Sequence, residues 1–74
     1  MIIITIYAKK YENEIRNKLV LYDESFVLIT KCIINRIELY GCHHCFIKNN
    51  KIGTMYTDKK CFANTIESNE IIEV

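Results

Sequence analysis

Cys42-His43-His44-Cys45 sets four side chains that can bind a metal, cycle through redox states or carry protons next to one another. Three chemistries use such a set. A structural zinc site needs nitrogen and sulfur ligands in a tetrahedron, and Cys-x-x-Cys is half of a zinc ribbon. There is no second Cys-x-x-Cys, so Cys61, Cys32 or a histidine must complete the set. If the chain after Gly41 is a meander of antiparallel strands, His43, Cys45 and Cys61 converge on one face, with Tyr56 between them. The candidate metal ligands are therefore Cys42, Cys45, Cys61 and His43, and the candidate cofactor is zinc. A dithiol oxidoreductase has the same Cys-x-x-Cys spacing, but its reactive thiol sits at a helix N-terminus. The segment after Cys45 reads instead as strand and turn. Buried thiols acting as small core hydrophobes are the structural alternative.

Gly41-Cys42-His43-His44-Cys45-Phe46 resembles the Gly-Ser-His-x-x-aromatic motif of HicA-type mRNA interferase toxins, with Cys42 where serine is usual. The resemblance implies a small α/β domain related to double-stranded-RNA-binding folds. It also implies a ribonuclease in which His43 is the catalytic residue. Histidine titrates near neutrality and suits general acid-base work.

The elements that must position these residues are few. A chain of 74 residues with 50% hydrophobic content makes one small domain, residues 1–74, with one core. Met1–Ala8 is apolar and rich in β-branched residues and reads as a buried strand. Over residues 9–24, Tyr11, Ile15, Leu19 and Tyr22 fall on one helical stripe, and Glu12–Arg16 and Glu14–Lys18 have helical ion-pair spacing. Phe26–Ile34 reads as a second strand, with a turn or interruption at Asn35-Arg36. Ile37–Tyr40 alternates as a half-exposed strand. Strands near 43–48, 52–57 and 61–66, joined at Asn49-Asn50 and Asp58-Lys59, form the meander. Ser68-Asn69 turns into a last strand, 71–74. We read no internal repeat. The expected fold is α+β: β-α-β followed by an antiparallel β-meander, with one helix packed on one face of the sheet.

Composition narrows the function. A net charge of +1 is not the footprint of a nucleic-acid binder, so direct contact with nucleic acid is not expected. The apolar N-terminal run is too short to span a membrane and lacks the marks of a signal peptide, which points to a cytoplasmic protein with free thiols. An uncovered sheet face favours a homodimer or a protein partner. The leading reading is a non-enzymatic protein that binds another protein through an interface. Its size and A/T-rich codon bias are similar to those of phage or mobile-element inhibitors of host defence, of the anti-CRISPR kind. Tyr40, Tyr56, Lys48, Lys51, Lys59 and Lys60 are the candidate contact residues. The alternative is a zinc-stabilised module on Cys42, Cys45 and Cys61 that contacts nucleic acid.

Overall fold

A computed structural model describes residues 6–72. Its eight strands are β1 (Lys9–Glu12), β2 (Ile15–Tyr22), β3 (Val27–Thr30), β4 (Ile33–Tyr40), β5 (Phe46–Lys48), β6 (Lys51–Thr57), β7 (Thr65–Glu67) and β8 (Glu70–Ile71). They form two four-stranded sheets, β1-β3-β5-β7 and β2-β4-β6-β8, and every pairing is parallel. The chain therefore winds as a β-solenoid, laying one strand in each sheet per coil. This overturns the α+β expectation. The described residues contain no helix and no antiparallel meander.

The expected helix at 9–24 is β1, a two-residue corner and β2. Its stripe does not exist as a face, because Tyr11 and Leu19 are buried while Ile15 is 82% and Tyr22 65% exposed. Leu19 and Leu21 point inward and Lys18 and Tyr22 outward, which is the two-residue period of a strand. The pair Arg16–Glu14, 2.6 Å apart, links residues two apart, from β2 back to the corner, rather than four apart on a helix. The first expected strand lies mostly outside the described residues, and Ile6–Ala8 is not in strand. The Phe26–Ile34 strand is two strands broken by a corner at Lys31-Cys32, and Asn35-Arg36 lies inside β4. Asn49-Asn50 and Ser68-Asn69 are chain reversals as expected, but each passes the chain from one sheet to the other. The last expected strand shortens to β8, and residues 73–74 lie outside the described residues.

The coil repeat is visible in the register. Ile15 pairs with Ile33 and Ile33 with Lys51; Leu28 pairs with Phe46 and Phe46 with Thr65. The offset is 18 residues between the first three coils and 19 into the fourth, the extra residue lying between β6 and β7. Ile-Arg-Asn-Lys-Leu-Val-Leu-Tyr of β2 thus lies on Ile-Ile-Asn-Arg-Ile-Glu-Leu-Tyr of β4, with Ile, Asn, Leu and Tyr repeated in place. There is an internal repeat after all.

Inward columns build one core. Tyr11, Ile29 and Ile47 from the first sheet meet Leu19, Leu21, Ile34, Ile37, Leu39 and Ile52 from the second. Between Ile34 and Ile37 the inward alternation skips a beat at Asn35. The next coil carries Gly53 there, where a Cβ would come 2.4 Å from the Asn35 carbonyl oxygen.

Each corner contains a left-handed residue in the same place. Asn13, Lys31, Asn49 and Ser68 have φ of 56°, 55°, 59° and 55° at the narrow corner. Phe26, His44 and Ala63 have 55°, 54° and 55° at the wide one. A left-handed residue other than glycine costs roughly 1–2 kcal/mol, so something must hold the corners in register. Hydrogen bonds between coils do so. Asn50 Oδ1 accepts from the Cys32 N–H at 2.9 Å, and Asn50 Nδ2 donates to the Ile29 carbonyl at 2.9 Å. One coil further, Asn69 Oδ1 accepts from the Asn50 N–H at 3.0 Å and Asn69 Nδ2 donates to the Ile47 carbonyl at 2.9 Å. No buried side-chain nitrogen or oxygen among the described residues lacks a partner.

Asn50 is buried, and its removal orphans two backbone groups inside the stack. At about 1–3 kcal/mol for each unsatisfied buried group, Asn50→Ala should destabilise the fold by about 2–6 kcal/mol in urea unfolding. Asn17→Ala, at an exposed position of the first coil, should change stability by less than about 0.5 kcal/mol.

Candidate functional site

The Cys-His-His-Cys segment is the wide corner between β4 and β5, and the corner divides it. Cys42 and Cys45 point inward and are fully buried, while His43 is half-buried and His44 exposed. The thiols do at this corner what asparagines do at the other. Cys42 Sγ donates to the Leu21 carbonyl at 3.5 Å, Cys45 Sγ to the Glu24 carbonyl at 3.8 Å and Cys61 Sγ to the Leu39 carbonyl at 3.4 Å. Each of these bonds spans one coil. Asn64, below Cys45, takes up the Cys45 N–H at 2.9 Å and donates to the Cys42 carbonyl at 3.1 Å. At the narrow corner Cys32 Sγ reaches the Tyr11 carbonyl at 3.4 Å, the position equivalent to the Asn50–Ile29 bond one coil on. All four cysteines are free thiols.

Cys42, Cys45 and Cys61 therefore gather on the inner side of the wide corner, by parallel stacking rather than by the antiparallel route, and the fourth expected ligand, His43, lies on its outer side. His43 does not face Tyr56; it bridges Ser25 and Phe62 in parallel, while Tyr56 pairs with Glu38. Cys61 Sγ also lies 3.3 Å from Asp58 Oδ1. The His43 ring turns outward and stacks on Phe62, with centroids 4.9 Å apart. Among the described residues no three His, Cys, Asp or Glu side chains are arranged around one metal position. Burial pushes the Cys42 and Cys45 thiols up, and the neighbouring thiols add to the effect. The α/β fold implied by the toxin resemblance is absent.

The six expected contact residues are dispersed. Tyr40 and Tyr56 come together on the outward face of the second sheet. Lys48 lies on the other sheet, 3.2 Å from Glu67. Lys51 borders an open groove with Lys31, Asn49 and Glu70. Lys59 and Lys60 occupy the turn after β6 and are exposed.

The tyrosines gain a third member that the sequence reading assigned to a helix. Tyr22 stacks on Tyr40, its register partner, with centroids 5.0 Å apart and planes 12° from parallel. Tyr56 leans on Tyr40 from the next coil at 5.6 Å. Beneath them lies Glu38, buried although it is on the outer face. It accepts from the Tyr40 hydroxyl at 2.6 Å and from Arg36 Nε at 2.6 Å, and Lys18 Nζ is 3.4 Å away. The Tyr40 hydroxyl and then the Arg36 guanidinium hold the Glu38 carboxyl down at about 2. The same bond to Glu38 pushes the Tyr40 phenol up to about 12. The Tyr22–Tyr40 spacing equals the coil repeat, the one signal in the sequence that could have joined them.

Compared with known proteins, the chain matches no family model, and no curated protein or solved structure is significantly similar to it.

Two outcomes follow from this geometry. Glu38 is bound more tightly as a carboxylate in the folded state, so its contribution is present above its unfolded value of 4.5 and is lost as pH falls toward about 2. Tyr40 is held as a phenol, so its contribution is present below 10.0 and is lost as pH rises toward about 12. The stability difference between wild type and Glu38→Gln should therefore be widest near neutral pH and close at both ends, and Tyr40→Phe should lack the alkaline limb. Alkylation of the native protein, read by mass spectrometry, should modify half-buried Cys61 first and reach Cys42 and Cys45 only on unfolding.

Proposed function

We propose that the protein is a non-enzymatic binding module that engages a protein partner through the outward face of its second sheet. The observation that carries this reading is the ladder Tyr22–Tyr40–Tyr56, held over a buried Glu38 beside Arg36. Tyrosine and arginine dominate the energetic centres of protein interfaces. Tyrosine gives large contact area with few torsions to fix, and here stacking and the Glu38 bond already fix them. Tyr22 is 65% and Tyr56 45% exposed, so two rings offer free surface on either side of a rigid third. Arg36 and Lys18 flank the ladder and supply donors to a partner carrying carboxylates or carbonyls.

The lysines assigned to the contact from sequence take a lesser part. Lys48 is on the opposite sheet, and Lys59 and Lys60 stand at the border of this face. The composition-based reading of an inhibitor that covers a surface of a host protein is one form of this proposal. It rests on the same face.

The test places a photo-crosslinking amino acid at Tyr56, and separately at Lys10 on the first sheet, in cells that express the protein. Crosslinking from position 56 to one discrete partner protein, with none from position 10, is the expected result. Tyr56→Ala should then weaken the isolated complex by at least about tenfold, the scale of an interface hot spot. No crosslink from position 56, or affinity unchanged in Tyr56→Ala, removes the second sheet as the binding face.

A further inference from the structure

The wide corner presents four rings in a row on its outer side. Phe26 stacks on His44 with centroids 5.3 Å apart, His43 stacks on Phe62 at 4.9 Å, and the two imidazoles meet edge to face at 5.2 Å. Where they meet, His43 Nδ1 and His44 Nδ1 are 2.9 Å apart and exposed to solvent. Adjacent residues in a regular strand point to opposite faces. The two histidines share a side because His44 has φ of 54°. The corner thus makes a pair that a strand would separate.

Two nitrogens at this separation match a defined metal geometry. With metal–imidazole bonds of about 2.0–2.1 Å, a 2.9 Å separation subtends an angle of about 90°. That is the cis angle of a tetragonal ion. From this geometry we infer that His43 and His44 form a two-nitrogen chelate for a tetragonal divalent ion, Cu²⁺ or Ni²⁺, with solvent in the remaining positions. The site is distinct from the thiols, which lie on the inner side of the same corner and are occupied with carbonyls. Binding replaces the hydrogen bond between the two Nδ1 atoms. The proton held there moves to the Nε2 of its own ring, and both Nδ1 lone pairs become available. A tilt of each ring about Cβ–Cγ turns them to a common point, and that torsion has a broad minimum. The phenyl rings on either side limit how far the imidazoles can swing.

Ni²⁺ is the probe, because Cu²⁺ would oxidise the free thiols. Isothermal titration of the reduced full chain with Ni²⁺ is compared with His43→Phe, His44→Phe and Cys61→Ser. Phenylalanine already occupies both positions in neighbouring coils, as Phe62 below His43 and Phe26 above His44, so the variants keep the ring row. A far-ultraviolet spectrum confirms that each retains the fold. The expected result is one Ni²⁺ per chain, Zn²⁺ bound more weakly, a loss of at least about tenfold in either histidine variant, and no change in Cys61→Ser. No Ni²⁺ binding by the wild type, binding that survives both histidine variants, tighter Zn²⁺ than Ni²⁺, or loss in Cys61→Ser would each overturn the inference.

Discussion

A polar backbone group at a corner of a parallel coil has no partner within its own turn, and the rest of this structure depends on how that shortage is met. Strands inside the sheets satisfy one another along the stack. At the corners the chain leaves the ladder, and buried N–H and C=O groups there would each cost free energy. Here the neighbouring coil supplies the missing partner through a short polar side chain. Asn50, Asn69 and Asn64 each accept a backbone N–H and donate to a carbonyl one coil away. Cys32, Cys42, Cys45 and Cys61 perform the donating half of that task with a thiol. Cysteine is small, tolerates burial and is a weak donor, so it fits a corner that is more apolar than an asparagine needs. Once the corners are tied coil to coil, the left-handed residues are stacked as well, and their local cost is held by a whole column.

The same rule that fills the core creates a problem outside it. In-register stacking of a repeat places equivalent outward residues directly on one another. Lys18 lies on Arg36, and like charges directly opposite in a sheet are destabilising. Glu38 resolves this. It stands where the first coil has Val20, two residues along from Arg36, and takes the cationic groups of both. Tyr40 adds a neutral donor to the same carboxylate and is stacked under Tyr22 by the same register. The tyrosine face is thus a consequence of the repeat and its one acidic departure, and its rigidity has the same origin as that of the core.

Much of this was legible and much was not. The half of β4 at Ile37–Tyr40, the end of a strand at Gly41, β6 and the reversals at Asn49-Asn50 and Ser68-Asn69 could be read locally, because turn residues and alternation are local signals. The helix over 9–24 could not be excluded locally. Lys, Glu, Arg and Leu there favour a helix, and only stacking on Ile33–Tyr40 settles the matter in favour of strand. The decisive evidence was present but non-local: Ile15, Asn17, Leu21 and Tyr22 recur 18 residues later as Ile33, Asn35, Leu39 and Tyr40. The third coil blurs the period with Gly53 and Thr57 and the extra residue before Phe62. An antiparallel meander and a parallel coil place turns at nearly the same positions. Turn residues alone therefore fixed the reversals but left the direction of pairing open.

The tetrapeptide shows why adjacency in sequence is a poor guide to a site in a coil. Read as a metal or redox motif, Cys42, His43, His44 and Cys45 would share one environment. A corner with a left-handed residue at its centre sorts them instead, thiols inward and imidazoles outward. The thiols then answer to the constraint that governs every corner, the satisfaction of carbonyls one coil away. The imidazoles are released from it and align with Phe26 and Phe62 along the outside. Substitutions at Cys42 and Cys45 therefore act on the stack, whereas those at His43 and His44 act on what the stack presents. Four residues that looked like one constellation belong to two, and the boundary between them is the backbone of the corner itself.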